Sequence, residues 1–286
     1  MEHPENISPL TGIDFFEFSP RVFSDISTLL KTLHSFNIGM YKDKCIKRRI
    51  AVRIRKTNCF SAEEYVELLR QDKSEVNRLI KVLTIHTSHF FRNLPAFEKL
   101  TADILPGLFS PEGQYESKPI NILSVGCAGG EEPYTLALII KEYFDDFLSR
   151  QNVSIIACDI DHDILEFADK GVYGEDHVRE IPPEIIKRWF RHEGQEFHLA
   201  QEIKDMVTFR TGDLFDLANF PRVKLILCRN VLIYVERCHQ EKIIRDFAGL
   251  LGSGGFLMLG KAETLVGNSR RLFQSICPFQ RIYCAL

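Results

Sequence analysis

The sequence predicts an α/β protein, with a mainly parallel sheet covered by helices on both faces, preceded by an all-helical domain. Three observations carry this expectation. Apolar residues recur at spacings of three and four up to about Asn93. From residue 119 onward, short apolar runs alternate with amphipathic stretches. The first two of those runs end at Gly126 and Asp159, where a ligand-binding loop would follow a strand. The division expected is 1–95 for the helical domain and 96–286 for the sheet domain.

In the first part, Phe23, Ile26, Leu29 and Leu30 share a helical face that Leu33 and Phe36 continue. Ser61 and Glu64 have the spacing of a capping box, and Tyr65, Leu68 and Leu69 follow as the apolar face. Val76, Leu79, Ile80 and Leu83 mark another helix. In the second part, strands are expected over Ile122–Val125, Val153–Cys158, Val207–Arg210, Lys224–Cys228, Gly255–Leu259 and Gln280–Cys284. Helices are expected over Pro133–Tyr143, Asp161–Lys170 and Gln240–Leu251. The stretch 174–205, with its Pro182-Pro183 pair and its charged and aromatic residues, reads as a small insertion. Open parallel sheets bind ligands beyond the carboxyl ends of their strands. That rule selects Gly126–Glu132, Asp159, Asp213 and Arg229–Tyr234.

The bulk composition is that of an ordinary folded protein: 286 residues, 45% hydrophobic, 26% charged, net charge −3. No apolar run approaches the ~20 residues needed to span a bilayer. The first residues lack the basic and apolar regions of a secretory signal. The eight cysteines include no C-x-x-C pair, so metal or redox chemistry is not expected and they read as reduced thiols of a cytoplasmic chain.

The loop Ser124-Val-Gly-Cys-Ala-Gly-Gly-Glu-Glu-Pro-Tyr134 is the most informative segment. Its glycines allow close approach of a ligand, and Pro133 suits the first turn of a helix. Glu131 and Glu132 would repel a phosphate, and neither G-x-x-x-x-G-K-[ST] nor G-x-G-x-x-G is present. A cationic ligand without phosphate fits better. Asp159, closing the next strand, suits ribose hydroxyls.

This loop resembles the Gly-Cys-Ser-Thr-Gly-Glu-Glu-Pro-Tyr-Ser motif of the chemotaxis receptor glutamate methyltransferases, the CheR family. Four further segments are similar in order: Thr87–Arg92, Ala157–Asp161, Cys228–Tyr234 and Gly260–Glu263. Departures fall at Ala128 and Gly129, where the family has Ser and Thr, at His86 (often Asn), at Ser88 (often Thr), and at Lys261 and Ala262 (His and Ser). The resemblance implies a Rossmann-like sheet that binds S-adenosylmethionine and releases S-adenosylhomocysteine. It implies a cofactor pocket of His86, Ser88, Arg92, Gly126, Glu132, Asp159, Asp213, Leu214, Arg229 and Asn230, with Glu131 either in the pocket or capping the helix. Arg92 could grip a substrate carboxylate through its planar fork and Tyr234 could orient it, so these two are the expected catalytic residues. Activity toward another protein or carboxylate, or a non-catalytic scaffold of the same fold, are the alternatives.

Between Lys42 and Lys56 eight basic residues stand against one acid, Asp43. Ile46, Ile50 and Ile54 would pack inward, leaving Arg49, Arg53 and Lys56 as one outward stripe and Lys44, Arg48 and Arg55 as another. A solvated basic face is the plain reading, and few aromatics are interleaved as nucleic acid would favour. In the resembling family this domain meets the acidic, glutamate-bearing helices of receptors, which makes Arg49, Arg53 and Lys56 the expected substrate contacts. The chain is read as a monomer that meets its receptor without entering the membrane.

Overall fold

The computed structural model describes residues 19–109, 119–149 and 151–286. Two compact units divide at Leu83 and Thr84. That division precedes the expected one at residue 95, because segment 84–92 is bonded into the second unit. Thr84 Oγ1 donates to Asp161, Phe90 N to the His177 carbonyl and Phe91 N to Thr135 Oγ1, at 3.4, 3.3 and 3.0 Å.

The first unit contains helices α1 (Pro20–His34), α2 (Asp43–Ile54), α3 (Ala62–Gln71) and α4 (Lys73–Leu83). Ser61 caps α3 by accepting from Glu64 N at 3.1 Å. The Glu64 carboxylate returns to Phe60 N rather than to Ser61 N, one residue outside the expected box. Ile46, Ile50 and Ile54 are buried as their spacing requires, together with Ile26, Leu30, Tyr65 and Leu79.

The outward stripe expected of Arg49 and Arg53 is corrected by their contacts. Arg49 donates to the Val82 and Leu83 carbonyls at the end of α4, at 3.0 and 2.8 Å. Arg53 grips Glu75 with both arms, each at 2.6 Å. Both positions border the isoleucine face, so their long side chains reach acceptors inside the unit. Glu75 also accepts from Tyr65 and Arg78, each at 2.9 Å. Lys56 remains exposed, as do Lys44, Arg48 and Arg55 on the other stripe.

The second unit holds strands β1 (Ile120–Val125), β2 (Val153–Asp159), β3 (Val172–Gly174), β4 (Phe190–Glu193), β5 (Glu196–Leu199), β6 (Val207–Thr211), β7 (Leu225–Cys228), β8 (Phe256–Leu259), β9 (Phe273–Cys277) and β10 (Ile282–Ala285). Seven form one sheet in the order β6-β2-β1-β7-β8-β10-β9, and β3-β5-β4 form a small second sheet. The run from β6 to β8 is parallel, while β10 and β9 close the sheet antiparallel. Every residue of β7 is buried, as a central parallel strand covered on both faces demands. β9 escapes the sequence reading because it is an edge strand with only Phe273 fully buried. The insertion holds β4 and β5 and three short helices, Glu175–Val178, Pro183–Trp189 and Gln201–Lys204.

Candidate active site

The chain leaves β1 toward β2 on one side and, after β6, enters β7 on the other. Such a reversal opens a crevice at the carboxyl ends of the two strands. A cavity of about 280 Å³ lies there. Its walls are Gly126, Cys127, Ala128 and Glu132 after β1, Arg229, Asn230, Val231 and Tyr234 after β7, and Ile85, Thr87, Ser88, His89 and Arg92 from the segment that opens the unit. Phe97 completes it.

The backbone around the cavity is held in conformations that L side chains rarely adopt. Phe91, Asn93, Ala128 and Asn230 all have positive φ, between 48° and 63°. Gly126 is required for a second reason. Its φ is +69°, and an added Cβ would meet a Val231 methyl at 2.5 Å, so the loops after β1 and β7 touch there. The helix Glu131–Tyr143 begins two residues before Pro133, directly after Gly130 at φ +86°.

A buried polar chain crosses the site. Ser124, paired in register with both Ala157 and Leu227, donates to Glu132 Oε1 at 2.9 Å. Arg229 donates to Glu132 Oε2 at 3.2 Å and to the Arg92 carbonyl at 2.5 Å, with its guanidinium 5.0 Å from the centre of the Phe97 ring. Burial pushes the Glu132 carboxyl above its usual range, against the pull of Arg229 and Ser124. Arg92 donates to the Thr87 carbonyl at 3.0 Å. Burial, with the charge of Asp159 adding, pushes the Cys127 thiol well up, so this cavity residue stays a neutral thiol and a poor nucleophile.

Of the expected residues, the structure brings Ser88, Arg92, Gly126, Glu132, Arg229, Asn230 and Tyr234 into one wall. Asp159 stands just behind it. Its two carboxylate oxygens accept from Ala128 N and Asp161 N at 3.0 and 3.1 Å, which ties the glycine loop to the end of β2. His86 lies outside the wall, its Nε2 3.4 Å from Asp161. Asp213 accepts from Phe215 N at 2.9 Å in the loop after β6, beside the buried Leu214. Glu131 is not among the residues lining the cavity; it is fully buried and meets His177 Nδ1 at 2.7 Å. Thr87, His89 and Phe97 were not anticipated as wall residues, and neither was the role of Glu263. That buried carboxylate accepts from Gly260 N and Asn230 N at 2.6 and 2.9 Å and from Ile233 N at 3.3 Å.

The donor set fits a cation that also carries a carboxylate. Burial raises Glu132, which lines the cavity, and a bound cation there would relieve that cost. Among the described residues, the buried Nε of Arg229 has no hydrogen-bond partner and calls for an acceptor.

Comparison with known proteins agrees with this geometry. Residues 86–279 match the domain described as CheR methyltransferase, SAM binding domain, and residues 21–84 match CheR methyltransferase, all-alpha domain. The chain belongs to the CheR methyltransferase family. A chemotaxis protein methyltransferase of Borreliella burgdorferi is 31% identical over 253 residues, covering 85% of this chain and 89% of its own. Chemotaxis protein methyltransferase 2 of Vibrio cholerae is 30% identical, covering 89% and 81%. Its counterpart in Pseudomonas aeruginosa is 28% identical, covering 91% and 92%. As a member of the CheR family the chain is an S-adenosylmethionine-dependent methyltransferase with a Rossmann-like sheet, and the cavity described above lies within the matched SAM binding domain. No helix among the described residues is long and apolar enough to cross a membrane.

Proposed function

We propose that this methyltransferase esterifies glutamate side chains of chemotaxis receptors, and that Arg92 and Tyr234 act on the reacting carboxylate. The observation that carries this reading is the presence of both side chains in the wall that also holds Glu132 and Arg229. A substrate glutamate is ionised at neutral pH, so its nucleophile needs no general base. S-adenosylmethionine, when bound, supplies an electrophilic methyl group. Glu132 would hold the ammonium, Arg229 Nε the cofactor carboxylate, and Asp159 or Asp213 the ribose hydroxyls. Arg92 orients the substrate carboxylate through a two-pronged grip, and Tyr234 fixes its second degree of freedom through a phenol contact. Alignment of this kind supplies up to roughly 7–11 kcal/mol of rate acceleration.

Receptor-containing membranes and cofactor carrying a labelled methyl group provide the test. The expected result is base-labile label on receptor glutamates. A protein that binds the cofactor yet transfers no label to receptor refutes the receptor assignment.

A further inference from the structure

The Glu263 carboxylate lies below the loop after β7 and has 4% exposure. Its Oε2 accepts from Gly260 N at 2.6 Å and Asn230 N at 2.9 Å, and its Oε1 from Ile233 N at 3.3 Å. Asn230 and Ile233 bracket the turn that leads to Tyr234, and Asn230 itself is held at φ +62°. The carbonyl side of the same loop is clasped separately: Gln240 donates to the Leu232 and Val235 carbonyls at 2.8 and 3.0 Å. Gly260 fits tightly against the carboxylate. A Cβ there would lie 2.6 Å from Glu263 Oε2 and 2.8 Å from Asn230 N.

We propose that Glu263 is a positioning residue for methyl transfer, which sets Tyr234 in the cavity wall by fixing the backbone of residues 230–233. The proposal rests on the role assigned to Tyr234 above. A carboxylate is the group suited to this task because both of its oxygens only accept. Glutamine keeps the size but has one acceptor oxygen. Whichever way the amide turns, its NH2 faces a backbone N–H that the carboxylate had satisfied. The loop then shifts where it carries Asn230 and Tyr234, while the sheet beneath it is unchanged.

The test compares Glu263→Gln, Tyr234→Phe and the double variant, each measured as kcat per folded molecule together with Tm. Glu263→Gln should lower kcat per folded molecule by at least about tenfold, and the double variant should fall no more than about threefold below the slower single. A purely structural role would lower Tm and leave kcat per folded molecule at the wild-type value, which overturns the proposal. Fully multiplicative losses in the double variant also overturn it, since Glu263 would then act independently of Tyr234. Wild-type turnover in Tyr234→Phe overturns the role of Tyr234 itself. A slow Tyr234→Phe beside an unimpaired Glu263→Gln overturns only the positioning role. Should Glu263→Gln not fold, Gly260→Ala disturbs the same clasp from the opposite side and carries the same comparison.

Discussion

Replacing Arg92 by alanine removes the only side chain of the proposed site that offers a carboxylate a two-pronged donor while Arg229 is engaged by Glu132. Turnover on receptor should fall about a hundredfold, the scale seen when one transition-state donor is deleted, with cofactor affinity changing far less. Tyr234→Phe should follow the same pattern more mildly. Unchanged turnover in Arg92→Ala would remove it from the chemistry. Glu132 carries a second prediction. Its carboxyl is raised by burial, and only the ionised form attracts a cation. Cofactor affinity should therefore decline as pH falls, and begin to do so above the ordinary carboxylate range. Glu132→Gln should weaken binding by about 1–3 kcal/mol and abolish that decline, which calorimetry across pH can check. The residue types of the site were legible because each sits at a strand end within a recognisable motif. Their pairings were not. Glu132 and Arg229 stand 97 positions apart, and nothing in either segment announces that they share a bond. Glu131 and Glu132 are adjacent in sequence, yet one meets His177 and the other lines the cavity.

Helix α2 shows how an element can be read correctly and its charges wrongly. The isoleucine spacing placed the buried face, but which arginines turn inward depends on acceptors in α4 that periodicity does not reveal. Burial pushes the Glu75 carboxyl up, but Arg53, Arg78 and Tyr65 outweigh it and hold the carboxyl below its usual range. A carboxylate lowered in this way contributes stability above its unfolded pKa and loses it as pH falls through the lower folded value. The contribution of Glu75 to the first unit should therefore be lost in acid, below about pH 4, the ordinary carboxylate range. Arg53→Ala leaves a buried carboxylate with fewer partners and should cost about 3–5 kcal/mol at neutral pH. Denaturant unfolding of the full chain measures it, and an unchanged midpoint would refute the claim that this pair holds the helices together. Central strands were legible as apolar runs because both of their faces are covered. Edge strand β9 and the short strands of the insertion were not, because one face or most of their length meets solvent.

Over the whole molecule the net charge is −3, yet α2 and its flanks concentrate basic residues. With Arg49 and Arg53 engaged inside their own unit, the cations left exposed are Lys44, Arg48, Arg55 and Lys56. If an acidic, glutamate-bearing helix is the substrate, its long-range attraction acts on these four. Reversing Lys44 and Arg48 to glutamate should raise the apparent KM for receptor about tenfold at low salt, a modest share of what electrostatic steering can supply. Cofactor affinity should be unaffected, because the cavity proposed for the cofactor is lined only by residues of the second unit and exposed charges are screened beyond about 8 Å at physiological salt. The wild-type kcat/KM should fall as salt rises, while the reversed variant should show a flat or inverted salt response. The contrast with Arg53→Glu separates encounter from stability. That variant sets two carboxylates against each other at Glu75 and should unfold the first unit rather than raise KM. Wild-type kinetics in the Lys44/Arg48 reversal at low salt would show that this face does not meet the substrate. A folded, active Arg53→Glu would show that the Glu75 clasp does not hold the unit together.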